Sequence, residues 1–216
     1  MSRLAEDMAA VETRIPKQTL ENWKDELSDW MHPSAFRERI NHNCHSIPRR
    51  VFFRQAGLTF LRDAWIAGRV ADALPSDFVR LAPTERPDFE IKIGGQVQQF
   101  EATEADMEER RRGDEPDSLE PEEDPVEDWR ARFEAIPSAL SRVVTKKLAK
   151  DYPAGVDLVI YINLGCYGAY TACSGTSPAK NKFKRVFAMW EGILYKFWDD
   201  GRFRFEKWQY SNPDDF

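Results

Sequence analysis

Apolar side chains recur at three- and four-residue intervals early in the chain, then switch to every second position. Leu20, Trp23, Leu27, Trp30 and Met31 share one helical face, so residues 1–48 read as a helical N-terminal extension, punctuated by Pro33 and Pro48. From Arg49 to about Leu74, the apolar positions Phe53, Leu58, Leu61, Trp65 and Val70 predict one long helix that the Pro75-Ser76-Asp77 turn closes. Gly57 and Gly68 each weaken that helix by about 1 kcal/mol relative to alanine.

The period then changes. Phe78 to Leu81 fits a short strand, and Asp88-Phe-Glu-Ile-Lys-Ile93 alternates up to Gly94-Gly95 before Gln96-Val-Gln-Gln-Phe-Glu-Ala-Thr103 alternates again. Two alternating runs about a Gly-Gly pair spell a β-hairpin, because glycine supplies the positive φ of a two-residue turn cheaply. Helical signals return from Trp129, with Pro137 at a first-turn position, and run to about Asp151, where Pro153 and Gly155 end them. Val156 to Ile162 is almost wholly apolar and rich in β-branched residues, the mark of a central strand covered on both faces. Phe183 to Trp208 is rich in aromatics around an Asp199-Asp200-Gly201 turn and predicts a helix followed by a terminal hairpin.

Composition narrows the class. The 216 residues are 42% hydrophobic and 31% charged, which describes a globular chain able to bury a core. Residues 49–216 are read as one domain. Cys44, Cys166 and Cys173 are too few for a disulfide framework, and no stretch reaches the length of a membrane span, so a cytoplasmic protein without a membrane partner is expected. The net charge of −6 conceals an asymmetry: residues 104–128 hold thirteen acids against three arginines, leaving the remainder at +4. That acidic, proline-bearing segment is expected to be a mobile loop that repels polyanions or engages a basic protein partner.

The hairpin register carries the candidate chemistry. A turn at Gly94-Gly95 sets Phe89 opposite Phe100 and Asp88 opposite Glu101, with Thr103 on the acids' face. Two adjacent carboxylates repel unless a cation lies between them, and a hard divalent ion would compensate them. On the following helix, with Ile136 at 0° and about 100° per residue, Leu140 and Val143 flank Lys147 in the middle of the apolar stripe, while Lys146 falls at its edge. A lysine on an apolar face must be paired, extended to water or put to use.

Pro87-Asp88, the apolar hairpin, Glu101-Ala-Thr103, the helix bearing Lys146-Lys147 and Tyr152, and the strand Asp157 to Ile162 together resemble the core of the PD-(D/E)XK nuclease superfamily. The resemblance spans roughly residues 49–163. It implies a restriction-endonuclease-like α/β fold: a three-layer sandwich with a mixed central sheet, the N-terminal extension and an aromatic-rich C-terminal hairpin. It further implies a Mg- or Mn-dependent hydrolase that cleaves phosphodiester bonds in DNA or RNA. Asp88, Glu101 and the carbonyl of Ala102 are then metal ligands, and Lys147 or Lys146 is the catalytic lysine. The chain departs from the superfamily in holding Thr103 where a lysine is usual; some members supply that lysine from the next helix. A second departure is the long helix, which offers only Asp63 and Asp72 where many members have a glutamate.

Other features have plainer explanations. His42, Cys44 and His45 are too close in sequence to converge on one zinc ion. Lys180, Lys182, Lys184 and Arg185 form a basic cluster that suits phosphate contacts or a solvated helix start equally. Two alternatives to a nuclease follow: a catalytically inactive relative that binds protein or nucleic acid, and an interaction module that forms a homodimer through the aromatic tail.

Overall fold

The computed structural model describes residues 14–45, 47–110, 129–164, 182–190, 192–199 and 202–209. Four helices come first: α1 (Lys17–Leu27), α2 (Pro33–His45), α3 (Arg49–Arg54) and α4 (Thr59–Ala73). Strands β1 (Phe78–Leu81), β2 (Phe89–Ile93) and β3 (Gln96–Ala105) follow, then α5 (Trp129–Leu148). Strands β4 (Asp157–Ile162), β5 (Arg185–Trp190), β6 (Ile193–Asp199) and β7 (Arg202–Gln209) complete the chain. The seven strands form one sheet in sequence order, and only the β3–β4 and β4–β5 pairs are parallel. The protein is therefore mixed α/β with a mixed sheet.

Alternation along the strands builds two cores. Phe89 and Ile91 of β2, Phe100 and Ala102 of β3, and Val159 of β4 point toward α1–α4. Ala105, Leu158, Ile160 and Ile162 point the other way, against Ile136, Ala139, Leu140 and Val143 of α5. β4 is buried from both sides, as its nearly continuous apolar run predicts. Phe100 anchors the first core, its ring stacked 5.0 Å from Phe89 and tilted 6.1 Å from Phe187.

The hairpin register is the expected one, from Ile93↔Gln96 to Phe89↔Phe100. Positive φ at Gly94 and Gly95 makes the turn. Elsewhere the elements differ from expectation. The face beginning at Leu20 ends with α1 at Leu27; Trp30 and Met31 lie beyond it, and Met31 bridges to Val79 on β1. The long helix from Arg49 is two helices, because Gly57 takes φ +95°, which no α-helix accommodates. Gly68, by contrast, sits buried in α4, where a Cβ would lie 3.7 Å from Ile40.

Pro137 lies inside α5 instead of in its first turn, which costs that helix one backbone donor. Among the described residues the tail contains no helix before its hairpin. Val186, Phe187, Ala188, Met189 and Trp190 form strand β5, buried alternately against the two cores. A short apolar run has no periodicity to separate a buried strand from a helix. The expected turn falls between the paired residues Asp199 and Arg202, with Asp200 and Gly201 outside the described residues. Most of the acidic segment, residues 111–128, also lies outside them. Among the described residues no helix is long and apolar enough to cross a membrane.

Candidate active site

The site lies where β3 meets the end of α5. Because Phe100 and Ala102 are committed to the α1–α4 core, strand alternation turns Glu101 toward α5, where only 3% of it is exposed. Lys147, one turn beyond Val143 on the apolar stripe of α5, reaches the same place. Its ammonium donates to Glu101 Oε1 at 2.6 Å and to the Ala102 carbonyl at 2.6 Å. The Tyr152 hydroxyl donates to the same Glu101 oxygen at 3.2 Å. Glu101 Oε2 is buried and has no hydrogen-bond partner.

Asp88 joins from the loop before β2. The ladder ends at Phe89↔Phe100, so Asp88 and Glu101 are not a regular cross-strand pair. Asp88 still donates its backbone N–H to the Phe100 carbonyl at 3.0 Å, and its Oδ2 accepts the Ala102 N–H at 2.7 Å. Ala102 thus ties both halves of the site together, its N–H holding Asp88 and its carbonyl holding Lys147.

Electrostatics mark Asp88. Burial, followed by the carboxylates of Asp63 and Glu101, pushes its pKa up to about 7 against the pull of the Ala102 N–H and Lys147. Asp63, on α4, is also raised by burial, while the Arg62 guanidinium 2.8 Å away draws it down. The Tyr152 phenol is raised by burial and by the Glu101 carboxylate, so it stays protonated and can only donate at this contact.

The arrangement gathers Asp88, Glu101, Ala102 and Lys147, all singled out in the sequence, and adds Asp63. The other acid of that helix, Asp72, faces elsewhere and pairs with Arg37 at 2.6 Å. A signal for Asp63 exists in the sequence. Ile66 and Ala67, both fully buried, stand three and four residues on and put Asp63 on the face that α4 presents to the sheet. Lys146 is exposed and points into a neighbouring groove of about 1000 Å³, whose lining includes Thr103, Arg62 and Trp65.

The chain matches no family model, no curated protein and no solved structure.

The remaining candidates sit apart from the acids. His42, Cys44 and His45 lie on α2, and burial pushes the Cys44 thiol up to about 11, leaving it protonated at neutral pH. Cys166, Cys173 and Lys180 lie outside the described residues. Lys182 reaches Asp151 at 3.7 Å, and Arg185 forms a buried ion pair with Asp157, so the basic cluster is divided between two structural roles.

The donor set fits a hard divalent cation in three respects. Glu101 Oε2 is an orphaned buried acceptor, the Ala102 carbonyl shares the Lys147 ammonium with the other oxygen of that carboxylate, and the charge of Asp88 is disfavoured by burial and by Asp63 and Glu101. Among the described residues no cluster of three or more His, Cys, Asp or Glu side chains is placed to hold a metal unaided. Part of such an ion's shell would have to come from the carbonyl, water and a substrate oxygen.

Proposed function

We propose that the protein is a metal-dependent nuclease that hydrolyses phosphodiester bonds in DNA or RNA, on a restriction-endonuclease-like three-layer scaffold. The observation that carries this reading is the Lys147 ammonium held 2.6 Å from both Glu101 and the Ala102 carbonyl, beside an Asp88 that Ala102 also holds. A structural ion pair has no need of a second acid whose charge is disfavoured, whereas a cation site gains from one.

Glu101 Oε2, Asp88 and the Ala102 carbonyl would hold Mg²⁺ or Mn²⁺, which when bound polarises the scissile phosphate and acidifies a water. Lys147 is fixed by two acceptors, which would hold its ammonium beside the phosphate as negative charge grows there. Tyr152 holds Glu101 in orientation through its hydroxyl. Thr103 leaves the usual lysine position without a cation, and Lys147 supplies that charge from α5.

One observation favours a second reading, an inactive nuclease-like binding module. Lys147 already neutralises Glu101 at 2.6 Å, so the pair is satisfied without a metal ion. Calorimetric titration with Mg²⁺ and Mn²⁺ separates the two, run on the wild type and an Asp88→Asn/Glu101→Gln variant and followed by cleavage assays on DNA and RNA. The nuclease reading expects binding and cleavage that both vanish in the double variant. A wild type that binds no metal and cuts neither polymer sinks it in favour of the module.

A further inference from the structure

The groove beside the acids brings aromatic rings and cations together. Phe52 of α3 and Trp65 of α4 line it while packing half-buried against the first core, and Phe53 of α3 lies beside them, 37% exposed. The cations Arg54, Arg62, Arg110 and Lys146 come to it from four separate segments, against the acids Glu104 and Asp106. Arg62 is shared with Asp63, and Arg110 with Asp106 at 3.3 Å, so the groove is mildly rather than strongly basic. Lys146 is exposed and makes no ion pair among the described residues. One residue of helix rotates the side-chain direction by about 100°, which divides the two lysines of α5: Lys147 goes to the acids and Lys146 to the groove.

We infer that this groove binds an unpaired nucleic-acid strand, stacking its bases on the aromatic wall and holding its phosphates with the surrounding cations. A duplex shows proteins only the edges of its bases, so an aromatic wall finds no ring face on it. An unpaired strand offers both ring faces and phosphates, and base-on-aromatic stacking tolerates any sequence. Size agrees with this. A groove of about 1000 Å³ lies at the upper end of ordinary ligand sites and has room for more than a single small ligand. Arg62 connects the two places, because it lines the groove and pairs with Asp63, whose carboxylate acts on Asp88. A strand seated in the groove therefore leads toward the acids.

This inference rests on the nuclease reading for the class of ligand, so it is tested without catalysis. Fluorescein-labelled oligothymidylate and oligouridylate are titrated with the full chain in chelator, with anisotropy as the readout and a duplex of equal length as competitor. The wild type is expected to bind a single strand at least tenfold tighter than the duplex; the two labelled probes tell DNA from RNA. Phe53→Ala is expected to weaken binding by roughly fivefold or more. Lys146→Ala is expected to lower the slope of log affinity against log salt by about 0.7. Lys146 is exposed, and unchanged circular dichroism and melting temperature in each variant verify the fold. Absence of single-strand binding, equal affinity for duplex, or affinity and salt slope unmoved by both substitutions overturns the inference. A wild type that binds single strands in this way but cleaves neither polymer supports the groove and counts against the nuclease reading alone.

Discussion

Asp88→Asn should stabilise the protein, and by an amount that grows with pH. The native carboxyl titrates near 7, against an ordinary value of 3.8, because it is buried beside Asp63 and Glu101. Between those values the folded chain keeps a proton that the unfolded chain has released, so stability falls as pH rises through this window. A gap of about 3 pH units at 1.36 kcal/mol each is a penalty of about 4 kcal/mol, complete above pH 7. Asparagine removes the charge at nearly constant volume, and its Oδ1 can still accept the Ala102 N–H. The advantage of the variant should therefore be about 1.5 kcal/mol at pH 5 and grow by a further 2 to 3 kcal/mol by pH 8. In a chain of this length each kcal/mol moves the melting temperature by about 2 to 4 °C. Urea unfolding in chelator, followed by circular dichroism at both pH values, measures it. A difference that stays constant with pH, or a wild type more stable than the variant at pH 8, would refute the electrostatic account of Asp88.

Three more perturbations test other parts of the structure. Lys147→Met leaves the Glu101 charge buried and should cost about 3 to 5 kcal/mol at neutral pH, most of it recovered in Lys147→Met/Glu101→Gln; a double-mutant cycle with no coupling would dismiss the ion pair. Phe100→Ala empties the space between Phe89 and Phe187 and should lose about 3 to 5 kcal/mol in urea unfolding; a loss under 1 kcal/mol would mean that the ring is not at the centre of the core. Gly57→Ala meets only ordinary contact, with Leu20 at 3.5 Å, so its cost is that of φ +95°, about 1 to 2 kcal/mol. An unchanged or higher melting temperature would show that the α3–α4 break does not need glycine.

The parts of the fold legible in sequence were those where one local rule acts without competition. Gly94-Gly95 and the alternation on either side fix the β2–β3 register, and the apolar run of β4 marks a strand covered on both faces. Lys147 stood out because a charge centred on an apolar stripe is rare. Tertiary context decided the rest. β5 joins the sheet because its neighbours bury both its faces, which Val186 to Trp190 cannot announce alone. The α3–α4 break depends on Gly57 taking positive φ, a conformation that glycine permits without requiring. Asp88 ends β2 by turning its side chain to the Ala102 N–H, a local competition that a register count ignores. Asp63 enters the site only once α4 lies across the sheet.

The parallel pairing of β3 with β4 also has a kinetic meaning. Parallel neighbours cannot be joined by a tight turn, and the connection that makes these two neighbours is the one that carries α5. The hairpin that holds Glu101 closes over a few residues and can form early, whereas Lys147 arrives only after a loop of 46 residues has closed. Refolding should therefore regain strand signal before it regains the ion pair. A partly folded chain would hold the two acids without the lysine, so the capacity for chemistry would appear only once that loop has closed and would report the docking of α5 on the sheet.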